Sequence, residues 1–262
     1  PLVFAARFLI IEDIVRATGA FVAVYAVAGA IYILNDIRDL KEDRIHPSKK
    51  HRPIASGEIS GRAACILALI LLVFGLSLSY LLSFLVLLTM LCFLLINSFY
   101  LFGGKKVAIL DVMLIGASFV MRVVVGAAAI MVPASVWLLL TLFFLATYLG
   151  FTKRAAEMKL EVKETRKTLG DYTPAFLDHA RSATLASTLA LYTLYTFDSP
   201  LGHAMAITVP FVFFGLLRYQ AIVDRDDGVN DGPSDHIYRD RQLQIAVLLW
   251  GLAVITIILV AL

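Results

Sequence analysis

Two cysteines in 262 residues exclude a disulfide framework. Cys65 and Cys92 both fall inside apolar runs, where a packed thiol is the expected state. Neither has the spacing of a metal ligand. His46 and His51 likewise have no second His or Cys at ligand distance in the sequence, which speaks against zinc. Charge is scarce as well. Asp, Glu, Lys and Arg make up 16% of the chain against 60% hydrophobic residues, with a mean hydropathy of +0.84. That balance excludes an ordinary soluble domain and points to a polytopic, all-α membrane protein. No linker or low-complexity tract interrupts it, so residues 1–262 read as one integral-membrane domain. The net charge of +3 is small, and nothing calls for a nucleic-acid partner.

What is present is a set of apolar runs near the ~20 residues needed to cross a bilayer. They lie at about 15–35, 61–81, 84–102, 107–130, 134–152, 181–198, 202–219 and 241–262. The stub Leu2 to Ile11 is too short to span and reads as the tail of a further helix, giving an expected bundle of nine. The connections near Leu82-Ser83, Val132-Pro133 and Asp198–Gly202 hold no Lys or Arg. Of the 23 Lys and Arg residues, all but Arg7, Arg16 and Arg122 lie in or beside 36–60, 103–106, 153–180 and 220–240. The positive-inside rule puts those four connections on the cytoplasmic side of the cell membrane.

The densest charge follows directly on the apolar run that ends at Leu34. Residues 35–57 read N-D-I-R-D-L-K-E-D-R-I-H-P-S-K-K-H-R-P-I-A-S-G. Charge of this density at a membrane helix end is expensive. On a continuous helix Asp36, Asp39 and Asp43 lie at about 0°, 300° and 340°, so three carboxylates share a face. Their repulsion is relieved by a hard cation, and Mg²⁺ takes a few carboxylates together with substrate phosphate oxygens. Asn35 sits beside them and can donate to a phosphate or accept from bound water. The plain alternative is a solvated helix end with intrahelical pairs such as Asp39 or Asp43 with Lys41.

Asp224, Asp227 and Asp231 repeat the same +3, +4 spacing after Tyr219, which suggests two halves facing one polar cavity. Gly228 and Gly232-Pro233 disfavour a long helix there, Asp226 offers another register, and an acidic surface loop is the alternative. Residues 153–181 read largely as an amphipathic interfacial helix on anionic lipid, with pairs such as Lys153–Glu157. Lys153 and Arg154 end a membrane span and can reach a phosphate, for which Arg is the better fork. Asp111 and Arg122 are intramembrane charges about three turns apart, on one helix face. Asp111 is near the expected site; Arg122 is deeper, with structural pairing or contact with a lipid phosphate as its two readings.

The N-D-x-x-D-x-x-x-D run followed by R-P-I-A-S-G resembles the first aspartate motif of the UbiA superfamily of intramembrane prenyl-transfer enzymes. The H-P-S-K-K-H-R-P version is similar to its decaprenyl-phosphate phosphoribosyltransferase branch. So are Lys153-Arg154-Ala155-Ala156-Glu157, Arg166-Lys167-x-Leu169-x-x-Tyr172 and Leu217-Arg218-Tyr219. The resemblance covers essentially the whole chain. It implies a nine-helix UbiA-like bundle that uses Mg²⁺ at Asp36, Asp39 and Asp43, with Asp224 and Asp227 as further ligands. It implies transfer of a 5-phosphoribosyl group from phosphoribosyl diphosphate to a polyprenyl phosphate, with pyrophosphate released and membrane lipids around the site. Lys49, Lys50, Arg52, Lys153 and Arg154 are the candidates for the donor's 5-phosphate, and Tyr172, Arg218 and Tyr219 join the substrate-binding set through the motif matches. Oligomeric state is left open, a homo-oligomer included. Two other readings stand beside this one. A prenyltransferase would move a prenyl group from a prenyl diphosphate to an aromatic acceptor. A transporter would need polar residues and broken helices at mid-bilayer, whereas these acids sit at one face.

Overall fold

In lipid every backbone polar group must be satisfied within the chain, and helices do this segment by segment. The computed structural model describes residues 2, 5, 7–45, 49–159, 167–199, 201, 203–225 and 239–261. Those residues contain helices and no strand. The helices are α1 (Ile11–Arg38), α2 (Leu40–Ile45), α3 (Pro53–Ser56), α4 (Gly61–Leu82), α5 (Phe84–Phe102), α6 (Leu110–Ala129), α7 (Val136–Lys159), α8 (Pro174–Asp198), α9 (Val209–Arg225) and α10 (Arg241–Ala261).

Seven helical segments among the described residues are long and apolar enough to cross a membrane: α1, α4, α5, α6, α7, α9 with its preceding turn from His203, and α10. The expected count of nine is not reproduced. The described residues of the N-terminal stub, 2, 5 and 7–10, are not helical. Helix α8 has the length, at 25 residues, but carries Asp178, Arg181 and a run of Ser and Thr. Its hydroxyls turn back on their own helix: Ser182 donates to the Asp178 carbonyl, Thr188 to Thr184 and Thr193 to Leu189. Such back-bonding satisfies a hydroxyl without water.

Boundaries follow capping chemistry. Ser83 ends α4 by donating its N–H to the Ser79 carbonyl, and caps α5 by accepting from the Val86 N–H at 3.1 Å. One residue therefore makes the whole connection. Thr173 caps α8 in the same way with Pro174 at the first helical position, so α8 starts seven residues before the apolar run at 181–198.

The chain divides into two compact units, and α6 contributes to both. The first comprises residues 1–105 and 121–134. Its core joins Ala20, Ala23, Val24 and Val27 of α1 to Val86, Met90 and Phe93 of α5 and to Val125, Ala128 and Ala129. Small residues let α1 and α4 approach closely. A Cβ on Gly75 would stand 2.7 Å from Val27 Cγ2 and 2.9 Å from the Ala23 carbonyl oxygen. The second unit comprises residues 106–120 and 135–262. Tyr148, Leu185, Tyr219, Val223 and Leu243 form one of its cores, and Val112, Phe151, Tyr172 and Leu177 another. Gly150 repeats the close approach, 2.6 Å from Val112 Cγ1 by the same construction.

Candidate active site

The first aspartate motif sits where α1 ends. Asp39 is the C-cap, yet the helical ladder carries on across it. Its N–H donates to the Asn35 carbonyl at 2.9 Å, and the Asp43 N–H donates to the Asp39 carbonyl at 2.8 Å. Helical spacing therefore persists into α2 and turns Asp36 and Asp43 toward a common point. Arg52 occupies that point, with one guanidinium nitrogen 2.8 Å from Asp36 and 3.0 Å from Asp43. Lys49 approaches Asp43 at 4.0 Å. Arg52 is placed by local chemistry. As the residue before Pro53 it is extended (φ −62°, ψ 142°), Pro53 opens the one-turn α3, and Gly57 ends it at φ 89°. Buried Ile54 and Ala55 pin that turn to the unit.

Asp39 has a different cation. Lys105 Nζ lies 2.6 and 2.7 Å from its two carboxylate oxygens and donates to Asn35 Oδ1 at 3.0 Å. The motif thus resolves into two pairs, Asp36 with Asp43 on Arg52 and Asn35 with Asp39 on Lys105. Among the described residues no group of three or more His, Cys, Asp or Glu is close enough to hold one ion. The donor set still fits magnesium. Two carboxylates already converge within 3.0 Å of one cationic nitrogen, and a magnesium site built from two carboxylates completes its shell with water and phosphate oxygens.

Lys105 is absent from the residues singled out by sequence. It lies in a short basic connection 66 residues from Asp39, and its only signal is a Lys-Lys pair after two glycines. Lys50 and His51 are exposed on the turn before α3. His46 lies outside the described residues.

In the second unit several expectations change. Arg154 is 2% exposed; its Nε donates to Asp111 at 3.1 Å and its Nη1 to Glu157 at 2.8 Å. Two carboxylates hold its guanidinium in a buried setting, so that it braces Asp111. Glu157 pairs with Arg154 at i,i+3, not with Lys153, which is exposed. Successive helical residues point about 100° apart, so this one-residue change inverts the two roles.

Tyr172 completes the cluster. Its hydroxyl donates to Asp111 at 2.9 Å and accepts the Ile109 N–H at 2.6 Å. Burial pushes this phenol up to about 12. Ile109 has φ 70°, a left-handed conformation unfavourable for a β-branched residue. Tyr172 therefore clamps a strained turn at the start of α6.

Asp224 accepts from Arg181 Nη1 at 2.6 Å, and Lys159 donates to its backbone carbonyl at 2.9 Å. Asp178 takes the other Arg181 nitrogen at 2.6 Å. Asp226, Asp227 and Asp231 lie outside the described residues, as does Arg166. Arg218 pairs with Asp240 at 2.6 Å, and Asp240 also accepts the Leu243 N–H at 2.8 Å in the first turn of α10. The Arg218 hydrogen bond holds the Asp240 carboxyl below its usual range. Tyr219 packs in a buried core, its ring centroid 6.3 Å from that of Tyr148. Arg122 belongs to the first unit, where its guanidinium lies 5.8 Å from the Phe93 ring centroid. Asp111 accepts from Arg154 and from Tyr172.

The sequence profile of the UbiA prenyltransferase family matches residues 3–235. The decaprenyl-phosphate phosphoribosyltransferase of Mycobacterium tuberculosis strain H37Rv is 32% identical over 250 residues, covering 93% of this chain and 82% of the relative. The enzyme of the same name from Mycolicibacterium smegmatis is also 32% identical over 250 residues, covering 90% and 78%. A UbiA homologue from Archaeoglobus fulgidus, solved with DMAPP and Mg²⁺, shares the fold at a TM-score of 0.74 and 18% identity, over 93% of this chain and 87% of that one.

Proposed function

This chain belongs to the UbiA prenyltransferase family, and from that premise we propose that it transfers a 5-phosphoribosyl group from phosphoribosyl diphosphate to a polyprenyl phosphate in the membrane. Its similarity to decaprenyl-phosphate phosphoribosyltransferases over nine-tenths or more of its length supports the choice of donor and acceptor. The geometric observation that carries the reading is the convergence of Asp36 and Asp43 within 3.0 Å of one cationic nitrogen. Two carboxylates at a helix end, flanked by Arg52 and Lys49, are suited to a metal-bound diphosphate.

Magnesium held there would neutralise charge that builds on the departing diphosphate. Asp36 and Asp43 would hold the ion once the Arg52 guanidinium turns aside from between them, with Asp39 a further ligand once Lys105 releases it. Arg52 and Lys49 stand beside them and supply charge-assisted donors to the leaving oxygens. An acceptor phosphate oxygen forms the new bond to the anomeric carbon while that carbon's bond to the diphosphate oxygen breaks and the electron pair leaves with pyrophosphate. A phosphate monoester is already anionic near neutral pH, so no strong general base is required. Lys50, exposed and adjacent to Lys49, is the first unit's candidate for the donor's 5-phosphate; Lys153 remains the second unit's candidate phosphate contact. The multi-pass chain lies in the cell membrane with 36–60, 153–180 and 220–240 on the cytoplasmic side.

The test compares phosphoribosyl diphosphate with an analogue lacking the 5-phosphate, using purified protein and polyprenyl phosphate. A charge-assisted phosphate contact contributes roughly 1.5–3 kcal/mol. The analogue should therefore bind about ten- to a hundred-fold more weakly, and Lys50→Ala should close part of that gap. Equal handling of donor and analogue contradicts the phosphoribosyl reading.

A further inference from the structure

We infer that Lys105 is a tethered counter-cation which a divalent metal must displace from Asp39, so that metal binds tightly only together with a diphosphate. The inference rests on the metal–diphosphate reading above and adds an order to it. Each of the three ammonium protons has an oxygen to meet: Asp39 Oδ1 at 2.6 Å, Asp39 Oδ2 at 2.7 Å and Asn35 Oδ1 at 3.0 Å. Both oxygens of Asp39 are thereby engaged. Magnesium requires oxygen ligands at about 2.0–2.1 Å in near-octahedral array. An ammonium seated bidentately on Asp39 fills the volume such an ion would need. For Asp39 to ligate metal, Nζ must leave.

Lys105 can leave without losing reach. It follows Gly103 and Gly104 in a three-residue turn after α5, and a lysine is a compact charge on a flexible four-carbon stem. Metal arriving alone leaves the displaced ammonium facing a dication. Metal arriving with a diphosphate brings the oxygens that the ammonium needs. Each ligand then raises the affinity for the other, and by linkage the factor is the same in both directions. Arg52 sits on the other carboxylate pair, its backbone set by the Pro53 turn, and its side chain must likewise turn aside for an ion there.

The experiment titrates Mn²⁺ into the purified full chain in nanodiscs, read by electron paramagnetic resonance, with and without inorganic pyrophosphate at matched free Mn²⁺. In the wild type, pyrophosphate should tighten Mn²⁺ by at least about tenfold, within the usual range of coupling between sites. Lys105→Met should bind Mn²⁺ alone about tenfold more tightly than wild type and show a smaller pyrophosphate gain. Lys105→Gln should do the same, and Lys105→Arg, which keeps the charge, should stay near wild type. Thermal unfolding of each variant identifies any that is misfolded, and the second neutral variant then carries the comparison. Unchanged or weaker binding of Mn²⁺ alone in the neutral variants overturns the inference and leaves Lys105 a support for Asp39, with the metal reading intact. No Mn²⁺ binding by any form, even with pyrophosphate, overturns both.

Discussion

Lys153 and Arg154 are neighbours in sequence and have opposite fates, because one step along a helix turns a side chain by about 100°. Lys153 faces out; Arg154 is buried on Asp111 and Glu157. Removing one partner of a buried ion pair strands the other, at roughly 3–5 kcal/mol. Arg154→Ala should therefore lower the thermal unfolding midpoint sharply; a normal midpoint with only a raised donor KM would contradict the supporting role. Asp36→Asn and Asp43→Asn would each remove a proposed metal ligand without changing volume, and Asp39→Asn would do so beside them. Each should reduce turnover at least ~100-fold while the protein remains folded in the membrane, and near-normal rates at low free Mg²⁺ in all three would refute the metal role. The pH profile of stability has two edges at this scale. Tyr172 is raised from 10.0 to about 12, so the folded state favours the neutral phenol. Its contribution is complete below pH 10 and is lost as pH rises through about 12. Asp240 is lowered from 3.8 by Arg218, so its contribution is present above that value and is lost as pH falls through the depressed one. Tyr172→Phe should remove the alkaline edge and Asp240→Asn the acidic one, each measured as unfolding midpoint against pH.

At the scale of elements, helix ends were legible and helix partners were not. The spacing of Asp36 and Asp43 is a property of one helix, so sequence could bring them to one face, and Arg52 shows that they meet. Lys105 could not be found that way, since nothing local joins it to Asp39. The start of α8 is hidden from hydropathy for a related reason: Thr173-Pro174 is a strong capping signal, but the apolar run begins only at 181. Close approaches are equally hidden until helices are paired. Gly75 is one glycine among 16, and only the proximity of Val27 and the Ala23 carbonyl singles it out. Gly75→Leu should cost about 1–3 kcal/mol or more through overpacking of α1 against α4. Thermal unfolding in detergent checks this, with Gly251→Leu as the control, because a Cβ there meets nothing within 4 Å.

For the whole molecule, composition was enough to announce an all-helical membrane protein, because long apolar runs have few other solutions in lipid. The expected count of nine is not reproduced among the described residues, where the described stub residues are not helical and the Ser, Thr and charged residues of α8 dilute its hydropathy. The proposed topology rests on the Lys/Arg asymmetry. A cysteine placed at Lys50 should resist a membrane-impermeant thiol reagent in intact cells and react once the membrane is opened, with Cys65 and Cys92 removed beforehand. Phosphoribosyl transfer and prenyl transfer differ in which group leaves its diphosphate. Membranes containing the protein should be offered, in one vessel, ribose-labelled phosphoribosyl diphosphate with polyprenyl phosphate, and a differently labelled prenyl diphosphate with an aromatic acid. The account predicts ribose label in the lipid fraction, one pyrophosphate released per ribose transferred, loss of both on chelation of Mg²⁺, and no prenylated aromatic product. Prenyl label on the aromatic acid, with the ribose label left in water, would contradict it.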